Sequence, residues 1–297
     1  MILDWDIEVA IEPSVISMMQ IAADRCSEIE GIQEKSFVSL HLCDDETIRK
    51  YNATYRNTDR ATDVLSFPTV CYPAGITAGK AEKLLRNEYD DEKDACFLGD
   101  IIISVPHLLA QADEYGHTPY REAAYLLVHG LFHLFGYDHM TEQEKKIMRN
   151  QEEKVLTSIG IDMEDNCRIS DNALLELAKE AMKRSYSPYS SYPVGAALHC
   201  TDGRVFQGCN IENASFGLTN CAERTAVFKA ISEGAYNFDV IAIASEKSAP
   251  WPCGACRQVL NEFSPQIRVI VTWGDHETDE MPLNELLPHG FGPNELH

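Results

Sequence analysis

Three cysteines and a glutamate in the second half of the chain have the types and spacing for metal-assisted hydrolysis. Cys253-Gly-Ala-Cys256 follows Pro252 and opens a helical stretch, so both thiols project from a first turn whose dipole favours thiolates. Cys221-Ala-Glu223-Arg224 opens the preceding helical stretch in the same manner. Two helix N-termini meeting at one point would offer three sulfurs to Zn²⁺ and leave the fourth position for water. A water acidified by zinc still needs a group to move its proton. Glu223, two residues from a ligand, is placed to take it as base and to pass it to a ring nitrogen and a leaving amine. Three thiolates on Zn²⁺ leave a net charge of about −1, which Arg224 can offset by hydrogen bonds to sulfur. Cys-x-x-Cys alone would also suit a redox pair or half a structural zinc knuckle. The upstream Cys-Ala-Glu-Arg, and the lack of a fourth Cys or His at ligand spacing nearby, argue for the catalytic alternative.

A ligand-x-Glu element followed by Pro-Cys-x-x-Cys is the layout of zinc deaminases. Over residues 169–297 the chain resembles the small homotetrameric cytidine deaminases, through SPYSSYPVGAAL (187–198), GCNIENASFG (208–217), NCAERTAVFKAIS (220–232) and PCGACRQVLNEF (252–263). The resemblance implies that Cys221, Cys253 and Cys256 bind zinc, that Glu223 shuttles the proton, and that Asn210 and Glu212 hydrogen-bond ribose hydroxyls. It implies a free cytosine nucleoside, cytidine or deoxycytidine, as substrate in pyrimidine salvage. Tyr192 stands where family members place a Phe over the pyrimidine. Phe291 matches an aromatic that reaches into a neighbouring subunit's site, so a tetramer built through this domain is expected.

The first half carries a different donor set. His129 and His133 are four apart, hence on one face of a helix, and Gly136 breaks that helix so that the chain returns His139. The HxxxHxxGxxH spacing is that of metzincin proteases, whose general base follows the first His; here that residue is Gly130. Three neutral imidazoles would hold zinc with an open position but without a protease's proton carrier. HGLFHLFGYDH (129–139), YRNTDRATDVLSFP (55–68) and LGDIIIS (98–104) resemble the YbeY family of single-strand endoribonucleases that mature ribosomal RNA, over about residues 1–160. That resemblance implies metal binding by His129, His133 and His139, with Arg56 as a required cation facing a phosphate. One zinc per domain is expected. A ribosome-associated maturation factor with a purely structural metal is the competing reading of this half.

The elements that must position these groups follow from periodicity and turn signals. In the first half they are helices at 14–30, 45–54, 119–135 and, from the capping box Thr141-Glu-Gln-Glu144, to about Ile159; strands fall at 37–42, 64–67 and 98–104, with an inserted loop or short helix at 71–94. The second half reads as helices at 170–186, 222–233 and 254–263 and strands at 195–200, 205–209, 240–244 and 267–272. This predicts an α/β protein: an α+β metal-hydrolase-like domain at 1–160, a linker at 161–168, and a three-layer α/β/α domain at 169–297. No internal repeat interrupts this order.

The charge is uneven. Of a net −22, residues 1–165 carry 15 Lys/Arg against 31 Asp/Glu. Such acidity disfavours non-specific tracking along nucleic acid, so RNA chemistry here requires a local cation, a metal, or the ribosomal subunit as partner. Cys26, Cys43, Cys71, Cys96, Cys167, Cys200 and Cys209 are expected to be reduced and mostly buried. The acidic start Met1-Ile-Leu-Asp-Trp-Asp and the strand-sized apolar runs predict a cytoplasmic protein without a membrane span.

Overall fold

The structure, a computed structural model, describes residues 1–73, 75–161, 169–274 and 277–292. It divides into two compact units, Met1–Arg168 and Ile169–His297. The expected linker falls almost wholly on residues 162–168, outside the described residues.

In the first unit β1 (Ile2–Ile7) leads into α1 (Pro13–Glu30), which has proline in its first turn and a left-handed Gly31 at its end. Next come β2 (Ser36–Cys43) and α2 (Asp45–Arg56), whose N-cap Asp44 accepts from the Thr47 N–H at 2.8 Å. After β3 (Val64–Pro68) the 71–94 segment contains a short α3 (Glu82–Leu85) and β4 (Tyr89–Asp90). Then follow β5 (Ala95–Ser104), α4 (Val105–Glu114), α5 (Pro119–Leu134) and α6 (Glu142–Ser158). The sheet order is β1-β2-β5-β3, with β4 also beside β5. β1, β2 and β5 run parallel, which requires crossovers such as α1, while β3 and β4 are antiparallel to β5. Met18, Met19, Leu40, Ile101, Ile103 and Phe132 form part of the dry core between sheet and helices.

The second unit runs α7 (Asp171–Met182), β6 (Val194–Cys200), β7 (Val205–Cys209), α8 (Ala222–Ser232), β8 (Phe238–Ser245), α9 (Gly254–Phe263), β9 (Arg268–Trp273), β10 (Glu277–Pro282) and α10 (Leu283–Leu286). Its sheet order is β10-β9-β8-β6-β7, with the β8–β9 pair parallel and the β10–β9, β8–β6 and β6–β7 pairs antiparallel. Ala196, Leu198 and Cys200 face Ala226 and Val227 of α8 and Leu260 of α9. On the opposite face a Cβ at Gly195 would lie 2.0 Å from the Ala178 carbonyl of α7. The unit is therefore a three-layer α/β/α stack, and the fold is α/β as the patterning predicts.

Several boundaries differ from those read off the sequence. β1, α4, β10 and α10 were not anticipated. α7 stops at Met182 instead of Tyr186, because the Tyr186 N–H donates to the Asn210 carbonyl (3.1 Å) and Tyr186 bridges Ile211. Cys71 is exposed, whereas Cys26, Cys43, Cys96 and Cys200 are buried free thiols; Cys167 is outside the described residues. Among the described residues no helix is long and apolar enough to cross a membrane.

Candidate metal centres

Gly208 on β7 sets the height of α8. A Cβ there would lie 2.3 Å from the Ala222 carbonyl and 2.5 Å from the Ala226 nitrogen, so only glycine lets the start of α8 rest on the strand. Cys221 is the N-cap of α8 and Cys253 the N-cap of α9; Cys256 lies one turn further on. Their sulfurs converge: Cys221–Cys253 is 3.8 Å and Cys253–Cys256 is 3.5 Å. Zn–S bonds of about 2.3 Å put tetrahedral sulfurs about 3.8 Å apart, so the cluster fits zinc as it stands. Arg224 donates through Nη2 to the Cys221 sulfur (3.6 Å) and to the Thr219 carbonyl (3.0 Å). The Cys256 thiol, and then Arg224, pull the Cys221 thiol well below its ordinary value, against its burial. Giving its proton toward Cys221, together with burial, pushes Cys256 up. Glu223 is only 5% exposed, and burial raises its carboxyl to about 7. A carboxyl poised there can hold or release a proton near neutrality.

The neighbouring loop carries the remaining expected residues. Asn210 is buried: its Oδ1 accepts from the Ser185 hydroxyl (2.5 Å) and the Val194 N–H (2.9 Å), and its Nδ2 donates to the Tyr192 carbonyl (2.9 Å). Glu212 Oε2 accepts from the N–H groups of Tyr189 (2.8 Å) and Ser190 (3.2 Å). The Ser190 side chain first, and then these N–H groups, hold the Glu212 carboxyl below its usual range. Tyr192 is tied at its hydroxyl to Ser245 Oγ (3.2 Å) and to the Ser248 carbonyl (3.1 Å) and hydroxyl (3.0 Å). The added hydroxyl thus pins the ring to the turn that leads into Cys253. Phe291 is 57% exposed, and its carbonyl accepts from Gln258 (2.7 Å) and Asn261 (3.1 Å) of α9.

In the first unit His129 and His133 stand one turn apart on α5, their Nε2 atoms 3.2 Å apart. Zn–N bonds of about 2.0–2.1 Å place tetrahedral nitrogens about 3.4 Å apart, so this pair also fits. Gly136, at φ 88°, reverses the chain, and the His139 ring comes to 5.7 Å from His129 and 5.0 Å from His133, centroid to centroid. One nitrogen of each imidazole lies within 4.8 Å of the others. The outer nitrogens are engaged: His129 Nδ1 with the buried Glu152 carboxylate (2.8 Å) and His133 Nδ1 with the Tyr137 carbonyl (3.2 Å). Both contacts turn Nε2 toward the shared centre. Burial, then the adjacent His129 and His139, lower His133 to about 4, which keeps it neutral for a metal. Arg56 ends α2, donates to the Ser66 carbonyl (3.2 Å), and lines one cleft with His133 and His139.

Sequence reasoning missed Glu152 and the Ser245–Ser248 turn. Glu152 is 23 residues from His129 on an otherwise polar helix; its position among buried residues of α6 becomes visible only when α5 and α6 pack.

A model described as Endoribonuclease YbeY matches residues 4–160, and one described as Cytidine and deoxycytidylate deaminase zinc-binding region matches 168–272. A cytidine deaminase of Sporosarcina psychrophila is 44% identical over 125 residues, 41% of this chain and 92% of its own. An endoribonuclease YbeY of Desulforamulus reducens is 40% identical over 154 residues, 52% of this chain and 92% of its own. Among solved structures, the cytidine deaminase from Burkholderia pseudomallei is 46% identical, covering 41% of this chain and 99% of that one, with a TM-score of 0.40.

Proposed function

Because the chain belongs to the YbeY endoribonuclease family through its first half and to the cytidine deaminase family through its second, we propose that it deaminates free cytidine or deoxycytidine in pyrimidine salvage and cleaves single-stranded ribosomal RNA during its maturation. The three-sulfur cluster with buried Glu223 beside it carries the first activity. Cys221, Cys253 and Cys256 would hold one zinc, and His129, His133 and His139 a second. When bound, the metal supplies a Lewis acid that acidifies water. Glu223 takes one proton of the attacking water and delivers it to the pyrimidine ring nitrogen, then takes the second, from the hydroxyl left on the ring carbon, and gives it to the departing amine. Arg224 offsets thiolate charge, and Tyr192 offers a ring for stacking. Glu212 keeps Oε1 for a ribose hydroxyl, and Asn210 retains one amide hydrogen for the same purpose.

In the first unit Arg56 would hold the phosphate beside the imidazole cluster and offset charge developing there. The acidity of this half limits RNA contact to that cation and the metal, or to a surface shared with the ribosomal subunit. The chain is cytoplasmic in this reading and tetramerises through its second unit, with the exposed Phe291 completing a neighbour's site. A substrate panel tests the deaminase assignment: free cytidine and deoxycytidine should turn over, and cytosine within single-stranded RNA should not. Turnover of the RNA cytosine alone would overturn it.

A further inference from the structure

A second cavity in the first unit, of about 380 Å³, opens against the side of edge strand β3 that carries Phe67. That volume is within the range of small-molecule sites. Four rings run along it, with centroids 6.1 Å apart for His41–Tyr51, 6.2 Å for Tyr51–Tyr55 and 5.3 Å for Tyr55–Phe67. Tyr55 is 64% exposed, so the run has an open face. Exposed rings of this kind stack with nucleobases of any sequence.

The polar lining of the cavity is selective. Asp6 and Asp100 present carboxylates, which accept hydrogen bonds and donate none. Asp6 lies 3.7 Å from His41. Asp100 pairs with Phe67 across the β3–β5 ladder and is half-buried, and its carboxylate has no hydrogen-bond or ion-pair partner among the described residues. Such a cavity repels phosphate but accepts an amine edge, as carboxylates do from the exocyclic amine of cytosine. Uracil offers no amine.

Arg56 joins this cavity to the histidine cleft. It follows Tyr55 in the chain, its Cζ lies 5.9 Å from the Phe67 ring centroid, and it lines the cleft with His133 and His139. Side chains alternate across a strand, so Phe67 faces the aromatic cavity while Ser66 and Pro68 face the histidines. We propose that the aromatic cavity seats one unpaired, amine-bearing base of the RNA, while Arg56 holds the adjoining phosphate and presents the strand to the imidazole cluster. The proposal rests on the endoribonuclease reading for its substrate and adds a base preference next to the cut.

The full chain can be tested with short unpaired oligoribonucleotides, using 2-aminopurine fluorescence to read stacking and end-mapping of the same samples to read cleavage. Wild type should quench the probe and favour cytosine over uracil beside the cut by about tenfold. Tyr55→Ala should weaken binding about tenfold and abolish quenching, and Tyr55→Phe should restore both. Asp100→Asn should keep quenching but level cytosine and uracil. Cleavage with the same base choice and quenching in all four proteins overturns the base site and leaves the endoribonuclease reading standing. Quenching that depends on Tyr55 without any cut RNA supports the site and sinks the cleavage reading. Absence of quenching in every preparation overturns the proposal and leaves the acidic, ring-lined cavity to a cationic side chain of a protein partner.

Discussion

The two candidate metal centres each gather three donors, by opposite construction. The sulfur centre joins residues 32 positions apart, Cys221 and Cys253, through two helix N-termini that the second sheet brings together. The imidazole centre is nearly local: one helical turn, a glycine reversal and a third histidine within 11 residues. Their charges differ as well. With zinc bound, three thiolates would carry about −1, partly answered by Arg224, whereas three neutral imidazoles would leave about +2, with the Glu152 carboxylate behind His129. A near-neutral centre suits an uncharged nucleoside. A cationic centre suits a phosphate, and in a strongly acidic half it would supply attraction that the surface does not.

The largest effect is expected from Glu223→Ala, which removes the proton carrier without touching a ligand: deamination should fall about a thousandfold or more while zinc stays bound and RNA cleavage is unchanged. Steady-state rates and metal content of one preparation decide it. A smaller effect, confined to the other centre, follows from Glu152→Gln. Losing the carboxylate behind His129 should weaken zinc at the imidazoles about 10- to 100-fold, read by chelator competition, with the sulfur site unaffected.

Acid should act on the imidazole half once metal is stripped. His133 is lowered to about 4, against about 6.5 in an unfolded chain. The unfolded state binds the extra proton between those values, so His133 stabilises the fold fully above about 6.5 and this contribution is lost as pH falls toward 4. Hydrogen exchange over α5, corrected for intrinsic rate, should show a loss on the order of 2 kcal/mol between about pH 7 and pH 4. Least of all, Tyr192→Phe keeps the ring but releases it from Ser245 and Ser248; the KM for cytidine should rise about two- to fivefold with kcat nearly unchanged.

Much of this was legible in the sequence where signals are local. The capping box at Thr141 and Glu144 forms as read, and Gly136 turns the chain at the predicted place. Both donor sets come together as their spacings imply. β1 escaped notice because ILDWDI is short, acidic and mostly exposed, and only pairing with β2 makes it a strand. α4 was hidden because Ser104 ends β5 and caps the helix at once, with no intervening turn to mark the change. β10, with its run of charged residues, is likewise held by its neighbour β9 and not by its own pattern. The partners that orient the donors, Glu152 and the Ser245–Ser248 turn, are products of packing, and no spacing rule encodes them.

Two separable metal-dependent activities on one chain are expected to respond independently to substitution. Matched preparations of wild type, His133→Ala and Glu223→Ala should be assayed side by side for cleavage of single-stranded ribosomal RNA and for deamination of cytidine. Wild type should do both, His133→Ala should deaminate but not cut, and Glu223→Ala should cut but not deaminate. RNA cleavage that survives His133→Ala, or is absent from wild type, would contradict that expectation.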